Sequence, residues 1–373
     1  MSRAGPTLIV FLGGTGDSPV ERLVAGARLA ATLDSIETAL GTDAYAGAVL
    51  VTDSAPGDPG FSGLEIDVDS GPFHFGRRLA GVIQARSLPS VVYMGGGSAP
   101  LLTADEFAGV GRAVGSGKTV TNNQYSADLV GFPAAGAGTM AAVESVQRDN
   151  ALAQALADAA SGLAVEELPR SIATLFDIDA PTDLAVLALA GLGGPRLRAY
   201  LTSIAIDTKP YEEVLPLFLD RRKQIIVAGR VGSHAWQYLE TQTACRVRLF
   251  AEERGMEADG RAEAGAARSL LGFHLGAVGL QRFFETLAEL GDAAVIDSRV
   301  LAAHAGVHPS REDRFLSDLG RWSEIRDPFL RDLTCGAVEA PLPVILGGHS
   351  LMSGALMLLN EHAWRLRDEG SLA

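Results

Sequence analysis

Three segments carry the residue types that handle phosphates and hard cations. Phe11-Leu12-Gly13-Gly14-Thr15-Gly16-Asp17-Ser18 is a glycine-rich loop directly behind an apolar run. Glycines let backbone N–H groups close on a phosphate, and a helix N-terminus behind them favours its charge. The same pattern also serves as an ordinary strand-to-helix turn. Tyr93-Met94-Gly95-Gly96-Gly97-Ser98-Ala99-Pro100-Leu101-Leu102-Thr103 repeats the arrangement after another apolar run. Ligands of open α/β sheets bind outside the carboxyl ends of the strands, so two glycine-rich strand ends imply a shared crevice. In Phe176-Asp177-Ile178-Asp179-Ala180-Pro181-Thr182-Asp183-Leu184 the carboxylates alternate. On an extended chain Asp177 and Asp179 point to opposite faces, so only one of them can face that crevice. There it could hold Mg²⁺, which takes one or two carboxylates plus substrate phosphates. The plain alternative is a helix cap and a solvated neighbour.

Between the second and third segments, Thr119 to Asp128 is polar. Asn122 and Asn123 each donate and accept hydrogen bonds, so the pair could read a base or a sugar. They are equally good turn residues, and the turn is the favoured reading. Asp128 is a second candidate metal or sugar ligand. The second half offers polar turns behind apolar runs: Gly229-Arg230-Val231-Gly232-Ser233-His234, Ile296-Asp297-Ser298-Arg299, and Leu346-Gly347-Gly348-His349-Ser350. The adjacency of Ser233 and His234 does not make a nucleophile–base pair. His304 and His308 fit no zinc spacing. Arg230, Arg299 and Arg314 could clamp a phosphate or carboxylate there, or pair with surface carboxylates.

The order of the first three segments resembles the GT-A-type nucleotidyltransferases, especially molybdenum-cofactor guanylyl/cytidylyltransferases and 2-phospholactate guanylyltransferases. That family opens with a Leu-x-Gly-Gly-x-Gly-x-Arg loop, which Phe11 to Ser18 partly matches. Its Gly-Asp-x-Pro-Leu-Leu-Thr segment resembles Gly96 to Thr103, and its Asp-Ile-Asp-Thr-Pro-x-Asp-Leu motif is close to Asp177–Leu184. The resemblance covers roughly residues 5–190. It departs at Ser18, where the family has arginine, and at Ser98, where it has a metal-binding aspartate; Arg22 and Arg28 are the nearest cations.

The resemblance implies transfer of a nucleoside monophosphate from a triphosphate to a small phosphorylated acceptor, releasing pyrophosphate. Gly13, Gly14, Thr15, Gly16, Gly96, Gly97, Ser98, Asn122 and Asn123 would hold the nucleotide, and Asp128, Asp177 and Asp179 would hold Mg²⁺. The implied partners are a nucleoside triphosphate or nucleotide-sugar and a small-molecule acceptor, with a homo-oligomer left open. The same fold would serve a nucleotide-sugar-dependent glycosyltransferase. The serine departures also suit a non-catalytic nucleotide or nucleotide-sugar binder.

The elements that position these residues follow from hydrophobic periodicity. Apolar blocks at 7–12, 48–52 and 91–94 read as buried strands, and 171–176 as a late strand. Leu23, Val24, Ala27, Ala30, Leu33, Ile36 and Leu40 recur at helical spacing, as do Phe75, Leu79, Val82 and Ile83. Thr103 and Glu106 form a capping box, and Pro181 suits a helix's first turn. Residues 53–73 read as a Gly-, Pro- and Asp-rich loop. Continuous apolar strands between helices indicate a GT-A/Rossmann-like α/β fold, its mostly parallel sheet covered on both faces. This fold is assigned to residues 1–195, with a mainly helical second domain over 196–373 that contains strands at 225–228, 293–296 and 343–346. Leu351–Leu359 and Gln281–Leu287 read as core helices.

The 373 residues, 47% of them hydrophobic, suffice for two cores. With 31 basic against 45 acidic side chains the net charge is −14, which argues against nucleic acid and anionic membrane surfaces as partners. Cys245 and Cys335 can build neither a disulfide framework nor a cysteine zinc site, and read as buried thiols of a cytoplasmic protein. The apolar run Leu8–Leu12 is far shorter than a membrane span.

Overall fold

Short apolar runs form the strands of two sheets. The structure, a computed structural model, describes residues 5–14, 16–69, 71–158 and 164–372. The chain divides into two units. The first gathers Met1–Thr15, Gly26–Asp177 and Gly193–Tyr200; the second gathers Gly16–Ala25, Ile178–Leu192 and Leu201–Ala373. Among the described residues no helix is long and apolar enough to cross a membrane.

The first unit holds β1 (Thr7–Leu12), β2 (Gly47–Thr52), β3 (Leu64–Val68), β4 (Ser90–Gly95), β5 (Thr119–Thr121), β6 (Leu129–Pro133) and β7 (Val165–Glu167). They form one seven-stranded sheet in the order β3-β2-β1-β4-β6-β5-β7. Only β6 runs antiparallel to its neighbours, β4 and β5. Both faces are covered. Ile9, Val49, Val91 and Phe132 pack with Phe75, Leu79 and Val82 of helix Phe75–Ala85. Leu8, Val10, Leu50 and Val92 pack on the other side with Ile36 of helix Pro19–Gly41 and Phe107 of helix Ala104–Gly115. This two-residue alternation explains why the strands read as unbroken apolar runs. Thr103 and Glu106 form the expected capping box, and Pro181 opens helix Pro181–Ala190.

Two expectations are corrected. The segment 171–176 is a helical turn over Ile172–Leu175, because Ser171 and Thr174 cap each other reciprocally. The loop 53–73 contains β3, an edge strand parallel to β2 whose charged Glu65 and Asp67 hid it.

In the second unit, the three strand candidates become β8 (Gln224–Gly229), β10 (Ala293–Asp297) and β11 (Val344–Gly347). With β9 (Arg246–Ala251), which the sequence reading missed, they form a single parallel sheet in the order β11-β10-β8-β9. β8 and β10 are almost wholly buried. Helix Ser233–Gln242 links β8 to β9, and helix Leu270–Leu290 leads from β9 back to β10 on the other side of β8. Leu351–Leu359 is buried helix as expected, starting with a π turn over Leu351–Ala355.

Candidate functional site

In the first unit, β1 connects outward to β2, whereas β4 lies on the other side of β1. The strand order therefore reverses between β1 and β4, where open α/β sheets form a ligand crevice at their carboxyl ends. Gly13 and Gly14 leave β1 there, and Gly95 to Ser98 leave β4. Gly14 has φ +74°, a left-handed conformation that suits glycine, and open space surrounds the position of a Cβ. Its N–H donates to Asp53 Oδ2 at 3.0 Å. Gly96 is tightly packed: a Cβ would lie 2.6 Å from Leu12 Cδ1.

The backbone of the β4 loop is already committed to other protein groups. Gly95 N–H donates to Asp128 O, Gly96 N–H to Phe11 O and Ser98 N–H to Gly95 O. Gly97 N–H donates to Thr32 Oγ1 at 3.1 Å, and Arg28 Nε donates to Gly96 O at 2.9 Å. The loop thus shapes the crevice floor rather than offering amides to a ligand. Beneath it Tyr93 is buried, and its hydroxyl donates to Asp149 Oδ2 at 2.9 Å. Burial, with the charges of Asp149 and Asp128, pushes the Tyr93 pKa well above the usual phenol range.

Asp177 comes to this strand end. It pairs with Ser98 in an isolated antiparallel bridge, and Ala99 N–H donates to its Oδ1 at 3.3 Å. Asn122 is buried with its amide turned to the protein's own backbone: Nδ2 donates to Thr174 O, and Oδ1 accepts from Asp128 N–H and Leu129 N–H, all at 3.1 Å. Asn123 Oδ1 accepts from Tyr125 N–H, a side-chain turn. Thr15 lies outside the described residues. Gly16 and Asp179 belong to the second unit, so the structure does not bring all the expected residues together in one unit.

The second unit repeats the topological device. Its strand order reverses between β8 and β10, and polar residues fill the carboxyl ends. Asp297, wholly buried, holds Arg230 through Nε at 2.6 Å and Nη2 at 3.2 Å. Arg299 reaches the buried Asp318 with bonds of 2.5 and 2.6 Å. Burial raises the Asp318 carboxyl; at Arg299 burial is the largest single influence and would lower the pKa, but the charge and hydrogen bonds of Asp318 with the charges of Asp297 and Asp183 together outweigh it, and the net shift is upward. The two short bonds mark an ion pair.

Asp183 Oδ2 accepts from Asp179 N–H and Ala180 N–H at 2.8 Å and from Ser350 Oγ at 2.9 Å. Its Oδ1 is buried with no partner among the described residues. Burial, with Asp179 beside it, pushes this carboxyl well above the usual range. His304 is structural: Nδ1 accepts from Ser269 N–H at 3.1 Å, and the ring packs edge-on against Phe273. Cys245 is buried but Cys335 only half so. A cavity of about 450 Å³ also lies in this unit, bordered by Ala185, Lys209, Tyr211, Thr334 and Leu346.

No family model and no curated protein matches this chain.

The resemblance implies Mg²⁺ at this strand end. Among the described residues no three His, Cys, Asp or Glu side chains converge on a point that could hold a metal. Asp177 stands beside a serine, and its Oδ1 already accepts a backbone N–H. Mg²⁺ held there would therefore rest on Asp177 and on substrate phosphates. Sequence reasoning missed Asp149, Asp318 and the partners of Arg230 and Arg299. Those pairings join residues 56, 19 and 67 positions apart, and no local pattern signals them.

Proposed function

We propose that the amino-terminal unit binds a nucleotide by its phosphates at the crevice between β1 and β4. The observation carrying this reading is the coincidence of the β1 glycine loop with the strand-order reversal. The reaction implied by the resemblance is nucleotidyl transfer. An oxygen of a phosphorylated acceptor attacks the α-phosphorus, the bond to the bridging α–β oxygen breaks, and pyrophosphate leaves. The backbone of Gly13 and Gly14 would face the phosphates, and the β4 loop would wall the crevice.

A second reading, a nucleotide or nucleotide-sugar binder without transferase activity, is favoured by Ser98, which stands where the resembled family has a metal-binding aspartate. The two readings separate in one experiment on the full chain. Thermal shifts are recorded with each nucleoside triphosphate and several nucleotide-sugars, with and without Mg²⁺, followed by a pyrophosphate-release assay with phosphorylated acceptors. A ligand at 100 times its Kd adds about 2.7 kcal/mol, which is readily visible. A shift with pyrophosphate release supports transfer. A shift without release supports the binder, and no shift with any nucleotide refutes both.

A further inference from the structure

The second unit has a strand-order reversal of its own, between β8 and β10, independent of the nucleotide reading above. Three strands present their carboxyl ends together: β8 ends at Gly229 before Arg230, β10 at Asp297 before Ser298 and Arg299, and β11 at Gly347 before Gly348 and His349. The backbones approach closely there. A Cβ on Gly229 would lie 2.2 Å from Asp297 Cβ, and one on Gly348 would lie 3.2 Å from Arg299 Nε. The crevice is therefore lined by guanidinium groups packed against bare backbone.

Two of these cations are neutralised in place, Arg230 by Asp297 and Arg299 by Asp318. A third is not. Helix Arg311–Asp318 carries Arg311, Arg314 and Asp318 at spacings of three and four, which puts them on one face. Asp318 pairs with Arg299, so that face is turned toward the β10 end of the crevice. Arg314 is half-buried on it, and its guanidinium makes no hydrogen bond or ion pair with any described residue, while its backbone N–H donates to Ser310 O. Its surroundings are short of negative charge: burial, then the charges of Arg299 and Arg311, hold its pKa below the usual arginine value, with only Glu257 and Asp318 opposing. An unpaired guanidinium held among other cations is an unusual expense for a structural residue, whereas an arriving anion would relieve it.

We propose that this crevice is a second ligand site, one that takes a phosphate-bearing small molecule with Arg314 as the receiving cation. Arg230 and Arg299, fixed and neutralised by their aspartates, shape the site. Phosphate is the anion chosen because it offers the planar fork of Arg314 two oxygens at once and carries more negative charge than a carboxylate. His349 stands at the mouth, reached by solvent, and the protein packed around it together with Arg230 lowers its pKa.

The test uses the full wild-type chain, phenylglyoxal as arginine reagent, and mass mapping of adducts with and without inorganic phosphate. Arg314 is expected to react, and phosphate at ten times its Kd to slow that reaction about tenfold by occupancy. Arg230 and Arg299, held in their pairs, are expected to stay unmodified throughout. Calorimetry with phosphate on Arg314→Gln is expected to show one binding site fewer than wild type, with Arg314→Lys retaining weakened binding. Equal modification of Arg314 with and without phosphate overturns the proposal, as does an unchanged binding stoichiometry in Arg314→Gln. Protection by acetate as strong as that by phosphate overturns the ligand class. The mapping is done on unmutated protein, so a poorly folding variant leaves the decision intact. Because nucleotide binding by the first unit is measured separately, either reading can fail alone.

Discussion

The Arg230–Asp297 pair permits a quantitative test of how the second unit holds its strand ends. Asp297→Asn keeps the shape of the side chain and removes the charge. It leaves the Arg230 guanidinium, 8% exposed, without its counter-ion. Breaking a buried pair from one side costs about 3–5 kcal/mol, because the abandoned charge remains in a poor solvent. Arg230→Met should cost a similar amount, leaving a wholly buried carboxylate with backbone N–H donors alone. Replacing both, as Arg230→Met/Asp297→Leu, removes both charges together and is expected to be nearly neutral apart from about 1 kcal/mol for the lost cap on Arg299 N–H. The singles should therefore be far from additive. All three tryptophans, Trp236, Trp322 and Trp364, lie in the second unit, so urea unfolding followed by intrinsic fluorescence reports on it directly. For a unit of this size each kcal/mol moves Tm by about 2–4 °C, so each single variant should fall by about 6–20 °C. Single losses below about 1 kcal/mol that simply add in the double variant would refute the reasoning, since a coupled buried pair cannot behave that way.

Three further outcomes are expected. Asp183 has a folded-state pKa raised above its ordinary value of 3.8, so the native state keeps a proton that the unfolded chain releases. Its contribution to stability is lost as pH rises above that value, and Asp183→Asn should gain on wild type by up to about 1.4 kcal/mol per pH unit; parallel urea midpoints from pH 4.5 to 7 would sink this. Gly96→Val drives a Cβ to within 2.6 Å of Leu12 and should cost about 1–3 kcal/mol, whereas Gly14→Ala, facing open space, should cost only about 1–2 kcal/mol of left-handed strain while weakening any nucleotide-induced thermal shift. Asp53→Asn should tighten phosphate-mediated nucleotide binding about fivefold, because a carboxylate some 4 Å from an anion in water repels it by about 1 kcal/mol; weaker binding in that variant would mean that Asp53 itself grips the ligand.

The strands with two covered faces were legible because burial on both sides makes every residue apolar. β1, β2, β4, β8 and β10 are of this kind. β3 and β9 were not, for the converse reason. Each lies at an edge and carries charged residues, Glu65 and Asp67 or Arg246 and Arg248, which break the apolar run. The segment 171–176 looked like a strand by composition, but one reciprocal cap between Ser171 and Thr174 tipped it into a helical turn. Local caps were readable where both partners lay within one turn, as at Thr103 and Glu106. At the candidate sites the glycines were visible and their accounting was not. Nothing near Gly97 in sequence says that Thr32 accepts its N–H, and nothing near Arg299 names Asp318.

That accounting separates the two crevices physically. Where a loop's amides already donate to the protein's own acceptors, an anionic ligand must displace a bond to gain one, so the net gain is small unless the site also supplies charge. The β4 loop is in this position, and Gly14 N–H is engaged by Asp53. In the second unit the cost of assembling cations has been met during folding by Asp297 and Asp318, and Arg314 remains unpaired beside them. A cation without a protein partner needs no displacement step before it meets an anion. The glycine-rich motifs therefore locate a crevice in the first unit, while the stronger anion-binding potential resides in the unit whose sequence carried no family signature.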